Sequence, residues 1–198
     1  MLFETDLRLR PSGEAGLLVS SVEAFAKYQE ESAWVWEHQA LTRARACAGD
    51  AQVGTAFEDI RKRILVRPRD AAGLAKQVLA MRERMHAAHP NPSGLFDVKH
   101  DSGGMIDLEF VVQTLVLAHA ARHAELTGNP GNIALLGIAA KLGLIPEELA
   151  ARCRDAYREF RRIQHALRLS GAAVARVPLD RVAPQAGAVR ALWEKVFG

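Results

Sequence analysis

Cysteine is nearly absent. Cys47 and Cys153 are the only two in 198 residues, too few for a disulfide framework and without metal-ligand spacing. They read as buried thiols of a reducing cytosol. Aromatic residues are scarce at 6%, and the abundance of Ala, Leu and Arg favours helix over sheet. No run approaches the roughly 18 apolar residues of a membrane span, and the N-terminus has no signal-peptide pattern. No membrane association is expected, and the expected location is the cytoplasm. An excess of one charge is also missing. The net charge of +3 is too small to argue for nucleic acid, and a phosphate-bearing small molecule suits it as well. What remains is 49% apolar and 25% charged residues, enough for a sizeable core in one domain or one and a half.

The first ten residues alternate, with Glu4, Asp6, Arg8 and Arg10 on one side and Phe3, Thr5, Leu7 and Leu9 on the other. Period two predicts a strand with one polar face, ended by Pro11-Ser12-Gly13. From about Ser20 the pattern is helical. Ser21 is placed to cap a helix reaching about Glu31, and Ala33 to Ala48 reads as a second, stopped by Gly49-Asp50. A third runs from about Ala51 to Val66 and is closed by Pro68; Asp70 can cap a fourth to about Ala88. His89 to Gly94 is a loop, and Leu95 to Val98 is short and extended. After Gly103-Gly104 a nearly all-apolar helix from Met105 to about Leu126 predicts the centre of a bundle. Asn132 to Leu142 and Glu147 to Leu169 follow, the latter with Cys153, Tyr157, Phe160, Gln164 and Leu167 along one face. Val174 to Gln185 reads as a loop and Ala188 to Phe197 as a last short helix. The opening strand has no obvious partner. Unpaired backbone groups are costly when buried, so its sheet is expected upstream of Met1.

Asp6, followed on the same strand face by Arg8 and Arg10, suits a metal–nucleotide site. The acid can hold a hard cation such as Mg²⁺, and the arginines can neutralise phosphate oxygens. Ordinary ion pairs on the solvated face of an edge strand are the alternative. The segment Lys99-x-x-x-Gly103-Gly104-x-x-Asp107-x-Glu109 places two glycines before a long helix, where a phosphate can approach free N–H groups. Lys99 can add a point charge. The order of Gly and Lys is not that of a Walker loop. Alternatively the glycines serve tight packing and Asp107 complements the helix dipole. Residues two apart on a helix point about 200° apart, so Asp107 and Glu109 cannot both aim at one metal. A buried salt bridge to an arginine is the other reading of Glu109.

Trp34, His38, Leu41 and Arg45 share one helical face, and Trp36, Ala40, Arg43 and Cys47 another. The tryptophans read as core, and an arginine on a partly apolar face needs an anion. His119 and His123 have ligand spacing but no evident third ligand, and read as structural. The arginines between Arg152 and Arg168 make a solvated basic face rather than a nucleic-acid surface.

Three stretches together carry a resemblance: Asp6 to Gly13 (DLRLRPSG), Tyr28 to Asp50 (YQEESAWVWEHQALTRARACAGD) and Phe96 to Gln113 (FDVKHDSGGMIDLEFVVQ). In this order they resemble the glutamine synthetase adenylyltransferase family. Ala156 to Leu169 (AYREFRRIQHALRL) is a weaker echo. RLRPSG and Ile106-Asp107-Leu108-Glu109 look more like that family's C-terminal half, which adds AMP from ATP, than its AMP-removing half. The resemblance implies a mainly α fold: a helical bundle at 51–198, like that of PII-uridylyltransferases, preceded at 1–50 by the last strand and helices of a truncated nucleotidyltransferase domain. It implies ATP and Mg²⁺, with Asp6 as catalytic metal ligand. Arg8, Arg10, Arg45 and Lys99 would meet nucleotide phosphates, Gly103 and Gly104 would present N–H groups, and Asp107 or Glu109 would orient a cation. Glutamine synthetase and the PII signal protein are the implied partners. The family's Gly-Ser turn and Asp-x-Asp pair occur nowhere in this sequence. With one acid of three, two-metal activation fails, and the chain alone is expected to be inactive. A non-catalytic module binding glutamine synthetase or PII is the alternative.

Overall fold

The computed structural model describes residues 10–198. The alternating segment carrying Asp6 and Arg8 lies outside the described residues. Within them the fold is mainly α, with eight α-helices and one two-stranded sheet. The helices are α1 (Val22–Glu31), α2 (Val35–Leu41), α3 (Ala51–Leu65), α4 (Ala71–Ala88), α5 (Met105–His119), α6 (Asn132–Lys141), α7 (Glu147–Leu169) and α8 (Ala183–Phe197). Strands β1 (Phe96–Asp97) and β2 (Arg176–Val177) pair antiparallel. No helix among the described residues is long and apolar enough to cross a membrane.

Local chemistry fixes three of the helix starts. The Ser21 hydroxyl accepts from Ala24 N, Asp50 accepts from Gln52 N and Val53 N, and Asp70 accepts from Gly73 N. Each satisfies amides that a helix start leaves without partners. The apolar α5 is buried on nearly every side, with Leu108, Val111, Val112, Leu115 and Val116 at 5% exposure or less. It packs against α2, α4, α6, α7 and α8, as an all-apolar helix at a bundle's centre must. The described part of the N-terminal region is continuous with this core: Leu41 of α2 is buried in it, and Phe25 and Val35 pack on it.

Four expectations are corrected. The helix predicted over Ala33 to Ala48 ends at Leu41, because distant side chains take its last carbonyls. Buried Arg61 donates to the carbonyls of Leu41, Thr42 and Thr127, and Asn129 donates to those of Arg43 and Ala44. The central helix stops at His119, whose carbonyl accepts both Arg122 N and His123 N, and a 3₁₀ turn at Ala124–Gly128 buries Leu126. Part of the expected loop at Val174 to Gln185 is β2, and α8 starts at Ala183 with proline in its first turn. Trp34 (66% exposed), Trp36 (38%) and Cys47 are on the surface rather than in the core. The buried residues of α2 are Glu37, His38, Gln39 and Leu41.

Candidate functional site

The loop before α5 is closed by its own acids. Asp97 Oδ1 accepts Lys99 N and His100 N, while Asp101 Oδ2 accepts Asp97 N and Asn91 Nδ2. Asp107, 4% exposed, accepts Gly103 N at 2.6 Å on one oxygen and Arg82 Nε on the other. Arg82 then reaches back to the His100 carbonyl at 2.7 Å. Gly104 N donates to Asp101 O, Met105 N to Val98 O and Ile106 N to Lys99 O.

The amides of Gly103, Gly104, Met105 and Ile106 therefore all have acceptors inside the chain, a geometry different from an open phosphate cradle. The glycines have a steric reason instead. Gly103 sits at φ +88, and a Cβ there would lie 2.7 Å from the Ala186 carbonyl; one on Gly104 would lie 2.8 Å from the Asp101 carbonyl. Lys99 keeps an exposed side chain.

The opposed directions of Asp107 and Glu109 follow from helix geometry. Asp107 turns to Arg82 of α4, and Glu109 accepts the Tyr157 hydroxyl of α7 at 2.7 Å. The arginine foreseen for Glu109 belongs to Asp107. Burial, and then the Glu109 carboxylate, push the Tyr157 hydroxyl above its usual pKa, so it stays a neutral donor.

A second locus lies under the N-terminal segment. A cleft of about 280 Å³ is lined by Arg10, Gln29, Trp36, Glu37, Arg43 and Phe57, among others. Glu37 is held by the Tyr28 hydroxyl at 2.8 Å and by Trp34 N at 2.9 Å. Gln29 is 5% exposed, and its Oε1 has no hydrogen-bond partner. An unpaired buried acceptor is costly, and one on a cleft wall is ready for a ligand's N–H or O–H. The cleft thus combines two guanidinium groups, aromatic faces and an unpartnered acceptor in its wall. Those are the elements that phosphates, a flat base and its exocyclic donor require.

Arg43 continues outward and donates to Asn132 Oδ1 at 3.1 Å. The structure brings together Arg10 and Arg43, with Tyr157 and Glu109 beyond them. Lys99, Gly103, Gly104 and Asp107 do not line this cleft, and Arg45 is exposed in the irregular segment between α2 and α3. Sequence reasoning left Gln29, Arg43, Asn132 and Tyr157 out of the site. The one available signal was Arg43 on a partly apolar face.

The residues present do not fit a metal pair. Among the described residues no three His, Cys, Asp or Glu side chains gather to hold an ion. Both Asp107 oxygens are engaged, and Glu109 serves Tyr157. The remaining candidate ligand, Asp6, lies outside the described residues.

Two family models match the chain: glutamate-ammonia ligase adenylyltransferase over residues 1–60, and GlnD PII-uridylyltransferase over residues 56–190. The helical part is thus of the class found in PII-uridylyltransferases. The chain belongs, more particularly, to the glutamine synthetase adenylyltransferase family. A bifunctional glutamine synthetase adenylyltransferase/adenylyl-removing enzyme of Aromatoleum aromaticum is 63% identical over the whole chain. Proteins of the same description from Burkholderia mallei and Bordetella bronchiseptica are 57% and 58% identical over 100% and 99% of the chain. The chain spans 21% to 22% of the length of these relatives.

Proposed function

We propose that this chain forms the rear wall of a site that transfers AMP from ATP to a tyrosine of glutamine synthetase. The cleft under Arg10 carries this reading. Lined by Arg10 at the end of the run that carries Asp6 and Arg8 in sequence, it offers two cations, aromatic walls and the unpartnered Gln29 oxygen. In this reading Arg8, Arg10 and Arg43 neutralise the nucleotide's phosphates, Gln29 accepts from its base or ribose, and Trp36 and Phe57 flank the ring. Arg45 and Lys99, both exposed, approach the phosphates from outside the cleft. Gly103, Gly104 and Asp107 lock the start of α5 against α4 and α8, and Glu109 positions Tyr157. Residues 1–50 then act as the end of the nucleotide-holding domain and residues 51–198 as the bundle behind it.

Mg²⁺ would require the family's Asp-x-Asp pair, which this sequence lacks, so the chain alone is inactive on this reading. The test is transfer of label from ATP carrying a labelled α-phosphate onto purified glutamine synthetase with Mg²⁺. The chain alone should give no labelling. Joined to an upstream segment bearing the Asp-x-Asp pair it should label, and Asp6→Ala should abolish that. Labelling by the chain alone, or none when joined, contradicts the reading.

A second reading is a non-catalytic module that docks on glutamine synthetase or PII. The exposed Leu17, Leu18, Val19 and Trp34 favour a protein partner. Capture of glutamine synthetase by the joined protein without any labelling would support it.

A further inference from the structure

An open cleft of about 520 Å³ lies between the start of α6 and the outer face of α7. Arg43, Arg158, Arg161, Arg162 and His165 rim it, with Asn132 and Tyr157 buried at its base. No side chain caps the first turn of the ten-residue α6, whose N-cap is Gly131 at φ +93. The leading amides of that helix are the positive end of its dipole.

Asn132 supplies an independent sign of a ligand. It is 3% exposed, and its Oδ1 accepts from Arg43. Arginine only donates, so the amide's oxygen must face Arg43. The Asn132 Nδ2 that remains has no hydrogen-bond partner. The neighbouring Asn132 side chain opposes the rise in the Tyr157 hydroxyl's pKa. The Tyr157 proton itself goes to Glu109.

The charges are unevenly committed. Arg158 pairs with Asp155 and Arg162 with Glu159, each at 2.6 Å. Arg43 and Arg161 have no carboxylate partner among the described residues. Two uncommitted guanidinium groups, an amide donor at the base and an uncapped helix start call for a ligand that only accepts and carries about two negative charges. A phosphoryl group meets both conditions on a single centre, whereas carboxylates need two separate groups to bring two charges.

We infer that this cleft is a second anion site for a phosphoryl group on a small molecule, beside the cleft under Arg10, with which it shares Arg43. The test is calorimetric titration of the chain with inorganic phosphate and pyrophosphate at constant ionic strength, with succinate as the carboxylate probe. Saturable pyrophosphate binding is expected. Arg161→Glu on the surface and Asn132→Leu at the base should each weaken it by about tenfold or more, the scale of a lost charge-assisted hydrogen bond. Arg152→Glu, on the exposed face of α7 outside the cleft, should leave it unchanged. The inference is overturned by absent saturable binding, by equal loss in Arg152→Glu, or by succinate binding as tightly as pyrophosphate. It is also overturned if only Arg10→Ala removes binding, since the anion then sits in the other cleft.

Discussion

At the scale of single residues, three arginines act as internal braces. Arg61 is 2% exposed and Arg82 7%. Arg69 donates to the Ile64, Leu65 and Leu117 carbonyls, and burial lowers its pKa to about 10. Arg82 has the closest balance, since its charge meets Asp107 with both partners buried. Asp107→Ala strands that charge and should cost about 3–5 kcal/mol of stability by chemical denaturation.

One buried and two half-buried histidines give the molecule an acid limit. His38, whose Nε2 donates to the Gln29 carbonyl, has its pKa lowered below 6.5 first by burial, and His100 and His119 are lowered for the same leading reason. A depressed folded pKa means that the unfolded chain takes up the proton first. Their contribution is therefore complete above about pH 6.5 and lost as pH falls through the lower folded values. Unfolding midpoints should fall with acidification below that pH, and His38→Asn should flatten the decline. An unchanged slope would show that His38 does not carry it.

At the scale of elements, helix starts were legible because their caps are local. Ser21, Asp50 and Asp70 each bond amides two or three residues ahead. The end of α2 was not legible, because it is set by Arg61 and Asn129 from 19 to 86 positions away in sequence. β1 lies in the segment read as extended, but β2 escaped for a similar reason: it is two residues long and exists only through its partner. The surface position of Trp34 and Trp36 was hidden as well. Helical periodicity orders residues by face but does not say which face meets the core.

The loop before α5 offers a sharp contrast between glycines. Gly103→Ala meets both positive φ and the Ala186 carbonyl, so it should cost about 2–4 kcal/mol. Gly94→Ala, at φ +70 with open space around it, should cost about 1–2 kcal/mol. Equal thermal shifts in the two variants would remove the steric account of Gly103.

At the scale of the whole molecule, the bundle organises two clefts around Arg43, which lines both. The candidate site was partly legible. The run ending at Arg10 named one residue that lines the first cleft, and the opposed directions of Asp107 and Glu109 followed from helix geometry. The junction of Arg43, Asn132, Tyr157 and Glu109 was not, since its contacts span 89 and 48 positions.

The central claim is that the cleft between α1 and α2 receives the nucleotide. Its most direct test is the KM for ATP in labelled-AMP transfer by the chain joined to an Asp-x-Asp-bearing segment, with and without Gln29→Leu. Removing a buried oxygen that has no partner should leave stability unchanged or slightly raised. The account predicts a KM raised about tenfold with kcat little altered, the signature of lost uniform binding. An unchanged KM in a stably folded variant would contradict it.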